Sequence, residues 1–129
     1  MLHSAITNSI MVEVIPRYED IPITGEHGRF VFSYTVKITN LGGGHPQLLS
    51  RKWHITDAEG QNKFVEGPGV VGEQPVIGPG QTYIYSSVCP LKTEFGRMQG
   101  HYLFYCGETD EHFQVQIPAF TLEATFKLN

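Results

Sequence analysis

Period-two alternation of apolar and polar residues runs along most of the chain. Between residues 29 and 40 the same parity carries Phe30, Phe32, Tyr34, Val36 and Ile38. Hydroxyl and charged residues fill the other parity, which is the pattern of a strand with one face in a core and the other in water. The alternation predicts further strands at 10–15, 49–56, 62–66, 81–87, 97–104 and 113–117.

Turn residues separate these segments. Asp57-Ala58-Glu59-Gly60 predicts a hairpin turn in which Gly60 supplies a positive φ. Pro118 interrupts the last run, so the tail (Phe120, Leu122, Ala124, Phe126) should begin at a sheet edge or a bend. No segment has convincing 3.6-residue periodicity. The chain is therefore predicted to be all-β, an immunoglobulin-like antiparallel sandwich of about seven strands, with residues 1–129 forming a single domain.

Trp53 is the single tryptophan and lies in an early strand of this sandwich. Its parity is that of Leu49 and Ile55, and residues of equal parity face the same side of a strand. We therefore expect Trp53 to be a buried core residue on a face shared with Leu49 and Ile55.

Charge and composition exclude several classes of function. Hydrophobic residues make up 40% of the chain and charged residues 17%, which is typical of a folded domain. A net charge of −4 with scattered basic residues argues against nucleic-acid binding. We see neither a signal peptide nor an apolar run long enough for membrane insertion, so the protein is expected to be cytoplasmic, with Cys89 and Cys106 as free thiols.

The segment 65–80 is rich in Gly and Pro and contains the spacing Gly67, Gly69, Gly72. That spacing binds pyrophosphate where a helix begins within it, but Pro75 and Pro79 prevent a helix here. Two interpretations stay open. A tight structural loop is favoured. The alternative is an anion site made from backbone N–H groups of Gly67 to Gly72, with Arg51 or Arg97 as countercharge.

Other chemistry has little support in the sequence. The six histidines lack metal-ligand spacing, although His101 and His112 could meet across a hairpin, and the acidic turn around Asp110 lacks the spacing of a calcium loop. No serine or cysteine has the surroundings of an activated nucleophile. We therefore expect no metal site, no cofactor and no enzymatic activity.

Four segments in order resemble the motifs of the ApaG family: 47–60 (QLLSRKWHITDAEG), 65–80 (VEGPGVVGEQPVIGPG), 96–102 (GRMQGHY) and 113–122 (FQVQIPAFTL). The resemblance covers nearly the whole chain. It departs at 42–46 (GGGHP), where bacterial relatives usually have a short turn.

The resemblance implies a fibronectin type III-like sandwich and an association with cobalt sensitivity and magnesium efflux. Related eukaryotic modules look like protein-interaction domains. The leading hypothesis is a non-enzymatic binding or regulatory module that acts through an unidentified protein partner. The alternative is a protein that binds a phosphate-bearing small molecule, such as a nucleotide, through Gly67 to Gly72. A direct metal sensor is a third hypothesis.

Overall fold

The computed structural model describes residues 1–19 and 30–125, and this part of the chain forms eight strands. Within those residues the structure contains no helix of the length and apolarity that crossing a bilayer requires. The strands are β1 (His3–Thr7), β2 (Ile10–Glu19), β3 (Phe30–Asn40), β4 (Gln47–Asp57), β5 (Asn62–Pro68), β6 (Thr82–Leu91), β7 (Phe95–Cys106) and β8 (Glu111–Glu123).

The strands form two four-stranded antiparallel sheets, in the orders β1-β2-β3-β6 (sheet A) and β5-β4-β7-β8 (sheet B). The predicted all-β sandwich is therefore confirmed. The strand that the sequence did not predict is β1. Its core-facing residues are His3, Ala5 and Thr7, which are only partly buried, whereas the apolar Ile6 faces solvent.

The core lies between the sheets and is built from the inward parity of each strand. In β3 this is the parity predicted from sequence, because Phe32, Tyr34, Val36 and Ile38 are all buried. Aromatic rings join the two sheets at the centre. Tyr34 of β3 lies 5.3 Å from Trp53 and 6.0 Å from Phe120 between ring centroids, and the last two are also 6.0 Å apart.

One predicted face in β4 is wrong. Trp53 and Ile55 are buried as expected, but Leu49 is not in the core, and Leu48 takes that place. The cause is a β-bulge: the register of β4 against β7 shifts between Leu48 and Ser50. One extra residue reverses the parity of everything before it, so Leu48 faces inward.

A second irregularity lies in β8, which is one of the two edge strands of sheet B. Met98 pairs with Phe120 and Gly100 with Ile117, so Pro118 and Ala119 together stand opposite one residue of β7. The edge position, one of the two alternatives expected from Pro118, is confirmed, although β8 continues through this residue. Phe126 lies outside the described residues.

The two long sides of the sandwich differ. On one side β1 and β2 pack against β8, which brings the sheets together. On the other side β5 is the last strand of sheet B and β6 the last strand of sheet A, and a cleft lies between them. This second side, flanked by β5 and β6, is called the open side below.

Removing the Trp53 side chain should leave a cavity at the junction of the sheets, because it is only 2% exposed. We expect Trp53→Ala to lower the free energy of unfolding by roughly 3–5 kcal/mol, measured by denaturant titration. The matched control is Phe64→Ala, since Phe64 is 64% exposed and should cost less than about 1 kcal/mol. Equal losses in both variants would contradict the role given to Trp53.

Candidate functional site

The Gly- and Pro-rich segment 69–81 carries the chain from β5 in sheet B to β6 in sheet A. It first extends the edge of sheet B, where Leu48 N–H donates to the Pro75 carbonyl and Ile77 N–H to the Pro46 carbonyl, both at 2.9 Å. It then turns across the end of the sandwich, and Gly80 N–H donates to the Asn40 carbonyl of sheet A at 2.8 Å. The segment is therefore a hydrogen-bonded link between the sheets.

A tight turn opens this segment. Val70 N–H donates to the Glu73 carbonyl at 2.8 Å, and Glu73 N–H returns a bond to Val70 at 3.0 Å. Val71 and Gly72 both have positive φ, 46° and 78°, as a type I′ turn requires. Gly69 N–H donates to the Leu49 carbonyl at 2.8 Å. Two N–H groups of the predicted anion site, those of Gly69 and Val70, therefore already have protein acceptors.

Arg51 lies against this turn, as expected for one of the two candidate countercharges. Its Nη1 donates to the carbonyl oxygens of Pro68 and Gly69, each at 3.0 Å. A side chain at Gly67 would contact the guanidinium, since an added Cβ would be 3.2 Å from Nη1. The structure thus brings Arg51 together with Gly67 and Gly69. The guanidinium bonds the carbonyl oxygens of Pro68 and Gly69, and it lies where a side chain at position 67 would be.

Arg97 and Gly72 lie apart from that group. Arg97 is exposed and pairs with Thr56 in the register of β7 against β4. Its parity is opposite to that of Met98 and Tyr102, which are buried, so Arg97 projects from the outer face of sheet B. Gly72 is at the exposed tip of the turn, where an added Cβ would meet no atom within 4 Å.

Asn40 is a residue that sequence reasoning missed. It ends β3 and is only 1% exposed. Its Nδ2 donates to the carbonyls of Gly44 at 3.2 Å and Ile77 at 3.0 Å, and its Oδ1 accepts from Gly42 N–H at 2.9 Å. The signal was present, because Asn40 has the inward parity of Ile38 and a polar residue at such a position needs partners.

The cleft on the open side has a volume of about 370 Å³. Its walls come mainly from the inner faces of β4 and β5 and from the second half of β6. The side chains that give it its chemical character are Tyr34, Arg51, Trp53, Asp57, Lys63, Val65, Ser87, Cys89 and Lys92.

The cleft carries an excess of positive charge, although the chain has a net charge of −4. Among the described residues, Arg51, Lys63 and Lys92 line it together with one carboxylate, Asp57. No ion pair within residues 1–19 and 30–125 engages any of the three cations. The Asp57 Oδ1 accepts from the backbone N–H groups of Glu59 and Gln61, both at 2.9 Å, so this carboxylate is engaged in the β4–β5 turn.

The floor of the cleft is uncharged at neutral pH. Burial raises the pKa of the Cys89 thiol to about 11, and the nearby charge of Lys63 opposes that shift. Burial also raises the pKa of the Tyr34 hydroxyl, with a smaller opposing effect from Arg51. The Cys89 thiol is therefore protonated at neutral pH, and the cleft presents cations above a neutral, partly apolar floor.

The histidines named as candidates for metal binding do not meet. His101 and His112 do lie on neighbouring strands, but His101 pairs with Gln116 and His112 with Tyr105, four positions away along the ladder. His45 Nδ1 lies 3.2 Å from a Glu108 oxygen, and Cys106 Sγ is 3.6 Å from the same carboxylate. In the described part of the chain no three His, Cys, Asp or Glu side chains are arranged to hold a metal ion.

Comparison with known proteins agrees with the motifs and the fold. The family model of the ApaG domain matches residues 23–105. The chain belongs to the ApaG family. The ApaG protein of Brucella canis is 47% identical over 122 residues, which cover 95% of this chain and 93% of that protein. ApaG of Rhizobium meliloti is 46% identical over 123 residues, with coverages of 95% and 94%.

Solved structures of similar proteins have the same sandwich. The X-ray structure of the structural genomics target SoR45 has a TM-score of 0.86 and 43% identity, covering 96% of this chain and 93% of that one. A Bordetella pertussis structure described as an ApaA protein has a TM-score of 0.83 and 43% identity, with coverages of 89% and 93%. The C-terminal domain of wzt, at 8% identity and a TM-score of 0.58, shares the fold alone.

Gly69 tests whether the turn is there for geometry or for a ligand. Its φ is +60°, and an added Cβ would overlap with the Glu73 carbonyl. Gly69→Ala should therefore lower the free energy of unfolding by roughly 1–3 kcal/mol. Gly72→Ala is the matched control, because it has positive φ but open space around it, and it should cost less. Pyrophosphate binding by the wild type that Gly69→Ala abolishes at unchanged melting temperature would instead establish a phosphate site.

Proposed function

We propose that this chain is a non-enzymatic, cytoplasmic binding module that takes an extended segment of a partner protein as an additional strand along β6. The observation that carries the proposal is the outer edge of β6, with which no strand of the described residues pairs. Strand addition of this kind draws its affinity from backbone hydrogen bonds, and neighbouring side-chain pockets then supply specificity.

The β6 edge is long and uncharged, and within residues 1–19 and 30–125 no further strand pairs with it. Its ten residues, Thr82–Leu91, contain no charged side chain, and proline occurs only at Pro90. Ile84 and Val88 project from the outer face and are 55% and 63% exposed. Among the described residues, no backbone hydrogen bond from outside sheet A reaches residues 83–91. Natural edge strands are usually blunted by charges, bulges or coverage.

The other three edges of the sandwich carry such protection. β1 has only five residues and packs against β8. β8 is interrupted by the bulge at Pro118, and charged residues occur at both of its ends. β5 carries Lys63 and Glu66 within its seven residues. The β6 edge is therefore the one at which an added strand meets the least resistance.

In this view the partner protein, and not the module itself, accounts for the cation phenotypes that the family resemblance implies. Cobalt sensitivity and magnesium efflux would then depend on which protein the module engages. This is supported by the separation of His101 from His112 and by the engagement of Asp57 within its own turn.

A phosphate-bearing small molecule at Gly67 to Gly72 is the second candidate ligand. The position of Arg51 against Gly67 favours it, because a guanidinium is a good phosphate partner. The bonds that Gly69, Val70 and Glu73 N–H groups already make to carbonyls count against it. Strand addition has the stronger geometric support.

Lysine on the outer face of the edge should block the added strand. We expect the double variant Ile84→Lys/Val88→Lys to capture at least tenfold less partner from lysate than the wild type, at unchanged circular dichroism. Ile15→Lys is the matched control. Ile15 is also an exposed isoleucine on the outer face of sheet A, but it lies on β2, two strands away from the β6 edge. Ile15 pairs with Thr35 of β3, and Thr35 pairs with Ser86 of β6.

Hydrogen exchange on the captured complex locates the interface. Amides of β6 should exchange at least tenfold more slowly when the partner is bound, whereas those of β1 should be unchanged. A partner retained by the lysine variant, or protection of the segment 69–81 instead of β6, would show that the module binds elsewhere.

Pure protein should bind cobalt or magnesium weakly at most, because the described residues hold no cluster of metal ligands. Isothermal titration calorimetry at low salt, after removal of chelators, measures this directly. A stoichiometric submicromolar cobalt site would overturn the assignment of the cation phenotypes to a partner. His45→Ala would then test whether the His45–Glu108 pair contributes ligands.

A further inference from the structure

We propose that the strand added to β6 is recognised by acidic side chains at its positions i and i+4, with an apolar side chain at i+2 between them. This inference rests on the proposed function, since it names the partner chemistry that the open side selects. The occupant is an extended acidic segment of a partner protein.

The side chains of an added strand would alternate between two environments. Ser87, Cys89 and Leu91 are on the inner parity of β6 and line the cleft. A strand paired with β6 continues sheet A, so every second side chain projects to the same side as these three. Those side chains enter the cleft, and the intervening ones extend the outer face beside Val88.

The facing wall of the cleft has a repeating pattern. On the inner parity of β5 and β4, Lys63 pairs with Ile55, Val65 with Trp53, and Gly67 with Arg51. Because Gly67 has no side chain, the Arg51 guanidinium covers its position. Along the wall the order is therefore cation, apolar pair, cation.

The spacing of that pattern fixes the spacing of the ligand. Lys63 and Gly67 are four residues apart on β5, which is roughly 13 Å along a strand. The two cations have the same order along β6. The charge of Lys63 acts on the pKa of Cys89, and the charge of Arg51 acts on the pKa of Tyr85, which lies four residues earlier. Carboxylates at i and i+4 of an added strand match both cations, and a residue at i+2 meets Trp53 and Val65.

The cations are available for a ligand. Arg51 uses Nη1 for the two loop carbonyls, and a guanidinium has three further N–H groups on Nε and Nη2. Lys63 and Lys92 are exposed and form no ion pair within the described residues. Lys92 follows β6 directly, so it adds positive charge at one end of the added strand. Charge complementarity thus favours an acidic segment over a basic or neutral one.

Three synthetic peptides of equal length test the proposal. Each alternates Thr and Val outside the test positions and has blocked termini. The first carries Glu at i and i+4 with Val at i+2, the second replaces both Glu by Gln, and the third has Glu at i and i+3, which places the carboxylates on opposite faces. Fluorescence anisotropy should give at least tenfold tighter binding for the first than for either of the others, with a difference that shrinks at high salt.

The matched protein variants are Lys63→Glu and Arg97→Glu. Lys63 lines the cleft, whereas Arg97 projects from the outer face of the same sheet. Lys63→Glu should weaken the Glu-i,i+4 peptide at least tenfold and favour the same peptide with Lys in place of Glu. Arg97→Glu should change neither. Arg51 is left intact because it also supports the loop.

The two proposals fail differently. If the Gln peptide slows hydrogen exchange of β6 as much as the Glu-i,i+4 peptide and binds as tightly, strand addition stands and the acidic preference is overturned. If no peptide at millimolar concentration protects β6, strand addition itself is overturned. If pyrophosphate competes with the Glu-i,i+4 peptide at equal affinity and Lys63→Glu abolishes both, the cleft is a general anion site and the i,i+4 preference is overturned.

Discussion

The open side depends on the way the chain crosses from one sheet to the other between β5 and β6. A crossing segment leaves backbone N–H and C=O groups outside the ladders, and burying them without partners is unfavourable. Asn40 supplies partners at one end of the crossing, through Ile77 and the 42–44 turn, and Arg51 supplies them at the other, through Pro68 and Gly69. These bonds hold β5 and β6 as edges of different sheets, so the cleft stays between them.

The alternation of residue types was sufficient to predict the sandwich and most of its faces. It failed where the two-residue period changes or where burial does not follow polarity. Leu49 was assigned to the core because a bulge at Leu48–Ser50 is invisible in a list of apolar residues. β1 was missed because its exposed Ile6 and its inward His3 reverse the usual relation between polarity and face. In both cases the pairing of strands in the fold, and not the local alternation of residue types, decides which residues face the core.

The candidate site could be predicted only in part. Proximity of Arg51 to the glycine motif was foreseen, but its use for carbonyl oxygens depends on the turn at 70–73, which the sequence does not show directly. Arg97 lies on the outer face of sheet B because its parity is opposite to that of the buried Tyr102. Lys63 and Lys92 come together only through the pairing of separate sheets, so no local motif contains them. Ligand binding by these residues stays a prediction.

The charge of the cleft is hard to explain by stability alone. Three cations face one space and repel one another, and Asp57, the one carboxylate among the described residues that line the cleft, is engaged in a turn. The chain contains thirteen acidic residues, which are more than enough to neutralise these three cations. Sequences usually satisfy every local preference except where function requires otherwise. The same reasoning applies to β6, whose uncharged edge leaves backbone groups beside that charge without a partner strand in the part of the chain that the structure describes. Two such exceptions at one side of the sandwich are explained together if that side binds an extended acidic segment.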